Sequence, residues 1–140
     1  MKSTQNKILI KDVMLPLGKF PVLGNKSIFA EALEEMCKFK LGIACIINSD
    51  GCIEALITDG DIRRKLLNVQ KPSSAFFMDY AIDHGIKNPF LINNASSIED
   101  SLALMEQNQI WDMPVIDEQQ KLVGLLHLHP VVKALINLKK

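Results

Sequence analysis

The chain is written twice. Sliding its 140 residues along themselves gives one clear self-match, at a shift of 69 positions. A-L-E-E-M (Ala32 to Met36) falls on S-L-A-L-M (Ser101 to Met105), and C-I-I-N (Cys45 to Asn48) on P-V-I-D (Pro114 to Asp117). E-A-L-I-T (Glu54 to Thr58) then falls on V-G-L-L-H (Val123 to His127), and D-I-R-R-K-L (Asp61 to Leu66) on P-V-V-K-A-L (Pro130 to Leu135), without a gap. Ahead of these blocks K-D-V-M (Lys11 to Met14) echoes S-A-F-F-M-D (Ser74 to Asp79), and P-V-L (Pro21 to Leu23) echoes P-F-L-I (Pro89 to Ile92). Two copies at this period pack against each other rather than stack as a solenoid. The copies are placed at residues 8–70 and 75–138 of one pair spanning residues 1–140.

Local patterns agree between the copies. Ser27 to Lys40 and Ser97 to Gln109 carry helical apolar spacing (Ile28, Ala32, Met36; Ile98, Leu102, Met105), and Ser96 with Glu99 reads as a capping box. Two β-rich runs follow, Ile43 to Ile47 and Ile53 to Ile57, joined by the turn signature N-S-D-G; their counterparts are Met113 to Ile116 and Leu122 to Leu128. A second helix closes each copy, from about Asp59 to Val69 and from about Pro130 to Leu138. With a short extended piece in front (Pro21 to Leu23; Pro89 to Ile92), each copy reads β-α-β-β-α, an α/β (α+β) unit with helices on one side of a small sheet. Two such halves related by a pseudo-two-fold would bury their apolar surfaces and leave matching clefts between them.

Composition narrows the function. Sixteen Lys and Arg balance sixteen Asp and Glu, so the chain lacks the basic field that holds nucleic acid or an anionic membrane surface. The apolar runs are strand-sized, far short of the roughly 20 residues a membrane helix needs. Met1 to Lys7 lacks the apolar core of a secretory signal, so a cytoplasmic location is expected. Cys37, Cys45 and Cys52 have no C-x-x-C spacing and read as buried thiols, not as a zinc site or a disulfide framework. No nucleophile with a paired base, no metal cluster and no Gly-rich phosphate loop after a strand is visible, which favours a binding module over an enzyme and implies no required cofactor.

A tandem β-α-β-β-α unit whose last strand ends in hydrophobic-T-x-x-D resembles the cystathionine-β-synthase (CBS) domain family, and two copies resemble a CBS pair, or Bateman module. D-V-M, A-L-E-E-M-x-x-x-x-L-G, I-T-D-G-D-I-R-R and, in the second copy, G-L-L-H-L-H are most similar to the CBS tandem that ends arabinose-5-phosphate isomerases of the Kdo pathway. The sugar-phosphate domain of those isomerases is not among these 140 residues. The resemblance implies a non-catalytic regulatory module that binds a nucleotide, either an adenosine phosphate (AMP, ADP or ATP) or a CMP-sugar, and controls such an isomerase in cis or trans. It also implies a homodimer. Two alternatives stay open: a structural dimerisation module without ligand, and the CBS module of a sugar nucleotidyltransferase.

The resemblance gives Thr58 and Asp61 the ribose of the nucleotide, and a carboxylate suits a diol because it accepts from two O–H donors. T-x-x-D is equally a capping box at a helix start. Gly60 is not what capping requires, since glycine in a first helical turn costs up to about 1 kcal/mol against alanine, and a missing Cβ admits a close neighbour. Arg64 could reach a phosphate or pair with Asp61 three residues earlier. The resemblance implies base contacts from Gly42, Ile43 and Ala44, and from Trp111, Asp112 and Met113 in the second copy. His127 and His129 occupy the positions of Thr58 and Gly60; on an extended segment they would face one side and line a second site. Pro130 stands where the first copy has Asp61 and cannot hold a diol in the same way.

Overall fold

The apolar runs pair as hairpins because a side chain pre-forms each turn. Asn48 Oδ1 accepts from the backbone N–H groups of Asp50 (2.9 Å) and Cys52 (3.0 Å), and Gly51 turns the chain at φ +85°. Asp117 Oδ1 does the same for Gln119 (2.9 Å) and Lys121 (3.0 Å), with Gln120 at φ 68° in the glycine's place. These contacts come from a computed structural model, which describes residues 7–68 and 73–138.

The chain forms two compact units, residues 18–89 and residues 1–17 with 90–140. In the first, β2 (Val22–Gly24) runs parallel to β3 (Ile43–Ile47) through the crossover helix α2 (Phe29–Phe39). β3 pairs antiparallel with β4 (Ile53–Thr58), which leads directly into α3 (Asp59–Asn68). Then come α4 (Ser73–Met78), a 3-10 turn (Ala81–His84) and β5 (Ile86–Lys87), which adds to the free edge of β4 and completes the order β2-β3-β4-β5. The other unit repeats this plan. β6 (Ile92–Asn93), α5 (Ile98–Asn108), β7 (Asp112–Ile116), β8 (Leu122–His127) and α6 (Leu128–Leu138) come from the second copy, while α1 (Ile10–Val13) and β1 (Leu15–Pro16) come from the start of the chain. β1 pairs with β8, giving the order β1-β8-β7-β6.

The sequence copies and the compact units are therefore cut at different places. The leading segment of each copy completes the sheet built from the rest of the other copy. Gly124 permits this in β8: a Cβ there would stand 2.8 Å from the carbonyl oxygen of Leu15 and against the Met14 side chain.

Each unit has its own core. In the first, Ala44 and Ile46 of β3 and Ala55 and Ile57 of β4 share one sheet face and pack with Phe29, Ala32 and Met36 of α2 and with Phe76 of α4. On the opposite face Ile43, Cys45 and Leu56 are buried too, which is why β3 reads as an unbroken apolar run. In the second unit Ile10, Ile98, Met105, Met113, Val115, Leu126 and Val131 form the equivalent cluster.

Three expectations are corrected. The cap of α5 is Ser97, whose Oγ accepts from Asp100 N at 3.2 Å, rather than Ser96 with Glu99, because the Ser96 N–H is used by Asn93 O (3.0 Å) in the preceding turn. Helix α6 begins at Leu128 instead of Pro130: Leu128 N donates to Trp111 O (2.9 Å), as Asp59 N does to Gly42 O (3.0 Å) in the first copy, and this bond ends the strand. Of the three cysteines expected to be buried only Cys45 is; Cys37 is exposed on α2 and Cys52 is intermediate beside the hairpin turn.

Candidate functional site

β4 delivers Thr58 to the end of the sheet, opposite Ile43 in the register, and α3 starts at the next residue. The junction is tied by Asp59 N donating to Gly42 O. A Cβ on Gly42 would stand 2.5 Å from the Asp59 carboxylate, so the close approach depends on glycine. Asp61 N donates to Thr58 Oγ1 (3.2 Å) and the Thr58 hydroxyl donates to Asp61 Oδ2 (2.7 Å), a cap closed by its own third residue. Arg64 Nη2 donates to Asp61 Oδ1 at 2.7 Å. The neighbour admitted by Gly60 is that same guanidinium, whose terminal nitrogens lie 3.3 Å from where a Cβ would be.

The structure thus gathers Gly42, Ile43, Thr58, Gly60, Asp61 and Arg64 at one end of one sheet. Ala44 is adjacent in sequence, but its methyl lies in the core.

The matching end of the other sheet is chemically different. Asp112 pairs with His127 across β7 and β8, where the first copy has Ile43 and Thr58. His127 Nδ1 lies 2.6 Å from Asp112 Oδ1, so a neutral ring donating there presents Nε2 as an acceptor. Trp111 is 60% exposed, whereas Met113 is fully buried in the core. His129 is exposed on the first turn of α6 and does not share a strand with His127, which corrects the expectation that both face one way from an extended segment; the cause is the early helix start at Leu128. Among the described residues no group of three or more His, Cys, Asp or Glu could hold a metal ion.

Among the described residues two cavities lie beside the first sheet. An open one of about 600 Å³ lies between the residue 22–27 turn and Ile47 to Ser49, at the end of β3 away from Gly42, and holds none of the predicted site residues. The other, about 300 Å³, is lined by Asp61 and Arg64 and also by Lys65, Asn68, His84, Gly85 and Ile86. Lys65 and Asn68 are not among the expected site residues, although positions 61, 64, 65 and 68 share a helix face, the signal that could have found them. His84 had no such signal, because it arrives from the leading segment of the second copy.

His84 is fixed. Nε2 lies 2.8 Å from Asp79 Oδ2, and the ring sits against Phe29 (5.2 Å between centroids) and Phe76 (5.0 Å). Its Nδ1 is buried with no hydrogen-bond partner among the described residues.

Residues 82–137 match the family model of the CBS domain. The structure of CBSX2 in complex with AMP superposes with a TM-score of 0.81 at 23% identity, covering 94% of this chain and 98% of that one. The fold is that of a CBS-domain pair. A second CBS pair, that of protein MJ0100 in complex with 5′-methylthioadenosine and S-adenosyl-L-methionine, matches with a TM-score of 0.76 at 21% identity over 96% of this chain and 99% of that one. In sequence the chain is 30% identical over 125 residues to the arabinose 5-phosphate isomerase KdsD of Yersinia pestis, covering 89% of this chain and 37% of that protein. The chain spans 37–38% of the length of the curated relatives it matches. Among the described residues no helix is long and apolar enough to cross a membrane.

Proposed function

We propose that this CBS pair is a cytoplasmic regulatory module that binds a nucleotide, an adenosine phosphate or a nucleotide-sugar, and controls a sugar isomerase of the arabinose-5-phosphate type, fused to it or supplied as a partner. The observation that carries the reading is the Thr58–Asp61 pair at the end of β4, beside Gly42 and Ile43. An acceptor carboxylate next to a strand end with close backbone approach suits a ribose diol and a flat base. Support comes from the ligands of the two solved neighbours and from the likeness to KdsD. A thermal-shift screen with AMP, ADP, ATP, S-adenosylmethionine, CMP and CMP-Kdo tests it; the expected result is stabilisation by a nucleotide that is lost in Thr58→Ala combined with Asp61→Ala. The chain alone is expected not to convert ribulose 5-phosphate to arabinose 5-phosphate, and turnover that survives repurification would overturn the regulatory assignment.

A second reading, a structural dimerisation module without ligand, is favoured by apolar side chains exposed on helices: Leu66 and Leu67 of α3, Met78 of α4, and Val132 and Ile136 of α6. A homodimer is expected under both readings, and light scattering at micromolar concentration checks it. A dimer that no nucleotide stabilises leaves the second reading standing.

A further inference from the structure

We propose that Arg64 is a selectivity gate, admitting phosphorylated ligands in preference to the same molecules without the phosphate. The inference rests on the reading that Asp61 receives a ligand diol. In the structure the Asp61 side chain is only 14% exposed, while Arg64, which covers it, is 62% exposed. Asp61 Oδ2 is occupied by the Thr58 hydroxyl and Oδ1 by Arg64, both at 2.7 Å. The guanidinium can lie this low over the helix because Gly60 has no side chain to lift it. A diol approaching Oδ1 must therefore compete with a charge-assisted hydrogen bond already formed.

What the displaced guanidinium meets decides the outcome. With a neutral ligand it is released to solvent and the contact is lost. With a phosphorylated ligand it has a new partner, since its planar fork of N–H donors matches phosphate oxygens. The place for that phosphate is the cavity of about 300 Å³ beneath the same helix face. Lys65, about 6 Å along the helix axis from Asp61 by the rise per residue, is a second cation lining it. That offset is comparable to the separation of a ribose diol from its 5′-phosphate. Asn68 supplies an amide one turn further on, and His84, bonded to Asp79 and packed against two phenylalanine rings, forms part of the cavity wall. Arg64 and Lys65 against Asp61 leave one net positive charge for the anion.

Matched probes test the gate: AMP with adenosine, CMP with cytidine and ribose 5-phosphate with ribose, titrated calorimetrically into the wild-type chain, Arg64→Gln, Lys65→Gln and Asp61→Asn. The wild type is expected to bind the phosphorylated member of a pair roughly 10- to 100-fold more tightly, the worth of one charge-assisted contact. Arg64→Gln should narrow that ratio from both sides, weakening the phosphorylated probe and tightening the neutral one. Lys65→Gln should weaken the phosphorylated probe alone. An unchanged ratio in Arg64→Gln, or equal weakening of both members, overturns the gate. If Asp61→Asn binds every probe as the wild type does, it is the diol reading that fails, and the gate with it. Loss of binding in Asp61→Asn together with an unchanged ratio in Arg64→Gln removes the gate alone, and a wild type that binds none of the six probes overturns the gate, the diol reading then being decided by the wider nucleotide screen.

Discussion

The Thr58 hydroxyl and the Asp61 carboxylate lie 2.7 Å apart, and the backbone N–H of Asp61 donates back to the same Thr58 oxygen at 3.2 Å. One pair of side chains therefore caps α3 and presents a carboxylate at the mouth of a cavity. Capping and binding make different demands on the pair. Asp61→Ala keeps the Thr58 cap bond to the backbone, so stability should fall by no more than about 1 kcal/mol, whereas nucleotide affinity should fall roughly 10- to 100-fold. Denaturant melts and calorimetry on this single variant measure the two effects separately.

The two copies should not bind alike. Position 61 has its counterpart in Pro130, and Thr58 in His127, which is engaged with Asp112. About one nucleotide per chain is expected by titration, unchanged in His127→Ala and abolished in Thr58→Ala combined with Asp61→Ala. Two equivalent sites in the wild type would show that the second copy compensates by other means.

His84 should matter to folding beyond its exposure. Its ring fills the space between Phe29 and Phe76, and its side chain is 10% exposed. Truncation to alanine opens a cavity between the two rings and removes the bond to Asp79, so a loss of about 2–4 kcal/mol is expected in urea unfolding. A loss under 1 kcal/mol would mean that the sandwich is not tightly packed.

The hairpin turns offer a paired test. Gly51 and Gln120 occupy equivalent positions at φ +85° and 68°. Gln120→Gly should raise stability and Gly51→Ala should lower it, each by about 1 kcal/mol, because a side chain in the left-handed region is strained. Thermal melts of the two variants should move in opposite directions.

Gly124 and Gly24 are both strand glycines without positive φ, yet they should respond differently to alanine. At Gly24 a Cβ meets nothing within 4 Å, while at Gly124 it meets the Leu15 carbonyl oxygen at 2.8 Å and the Met14 side chain. Gly124→Ala should cost about 1–3 kcal/mol as overpacking, with Gly24→Ala close to neutral. Equal stabilities would show that β1 can shift away from β8 freely.

The repeat and its periodicity exposed the hairpins, the crossover helices and the strand-to-helix junctions, because each of these is encoded within a few residues: N-S-D-G for one turn, T-x-x-D for one cap. Helix starts were legible only to within two residues. Leu128 opens α6 through a bond to Trp111, a partner 17 positions away in sequence that no local pattern reveals. The fourth strand of each sheet was not legible. Leu15 and Ile86 sit in two-residue strands with no alternation to read, and the copy boundaries imply that each leading segment stays with its own copy. For the same reason the site lacked its cavity wall: Thr58, Asp61 and Arg64 announce themselves in eight consecutive residues, but His84 is brought in from the far side of α4.

That exchange of leading segments bears on how such a chain could have arisen. A protein made of one copy would have no strand of its own in the place that β5 or β1 fills, and its β4-type edge would stay open to pairing. Two such molecules could each donate a leading segment to the other's sheet, a reciprocal swap that closes both edges. Gene duplication with fusion would then convert a swapped dimer into a single polypeptide without changing any contact. Afterwards the two halves are free to diverge, one keeping Thr58 and Asp61 and the other replacing them with His127 and Pro130. The same logic says where the present chain can be divided: fragments cut between the copies each carry the other's edge strand, so they should regain their fold only when mixed.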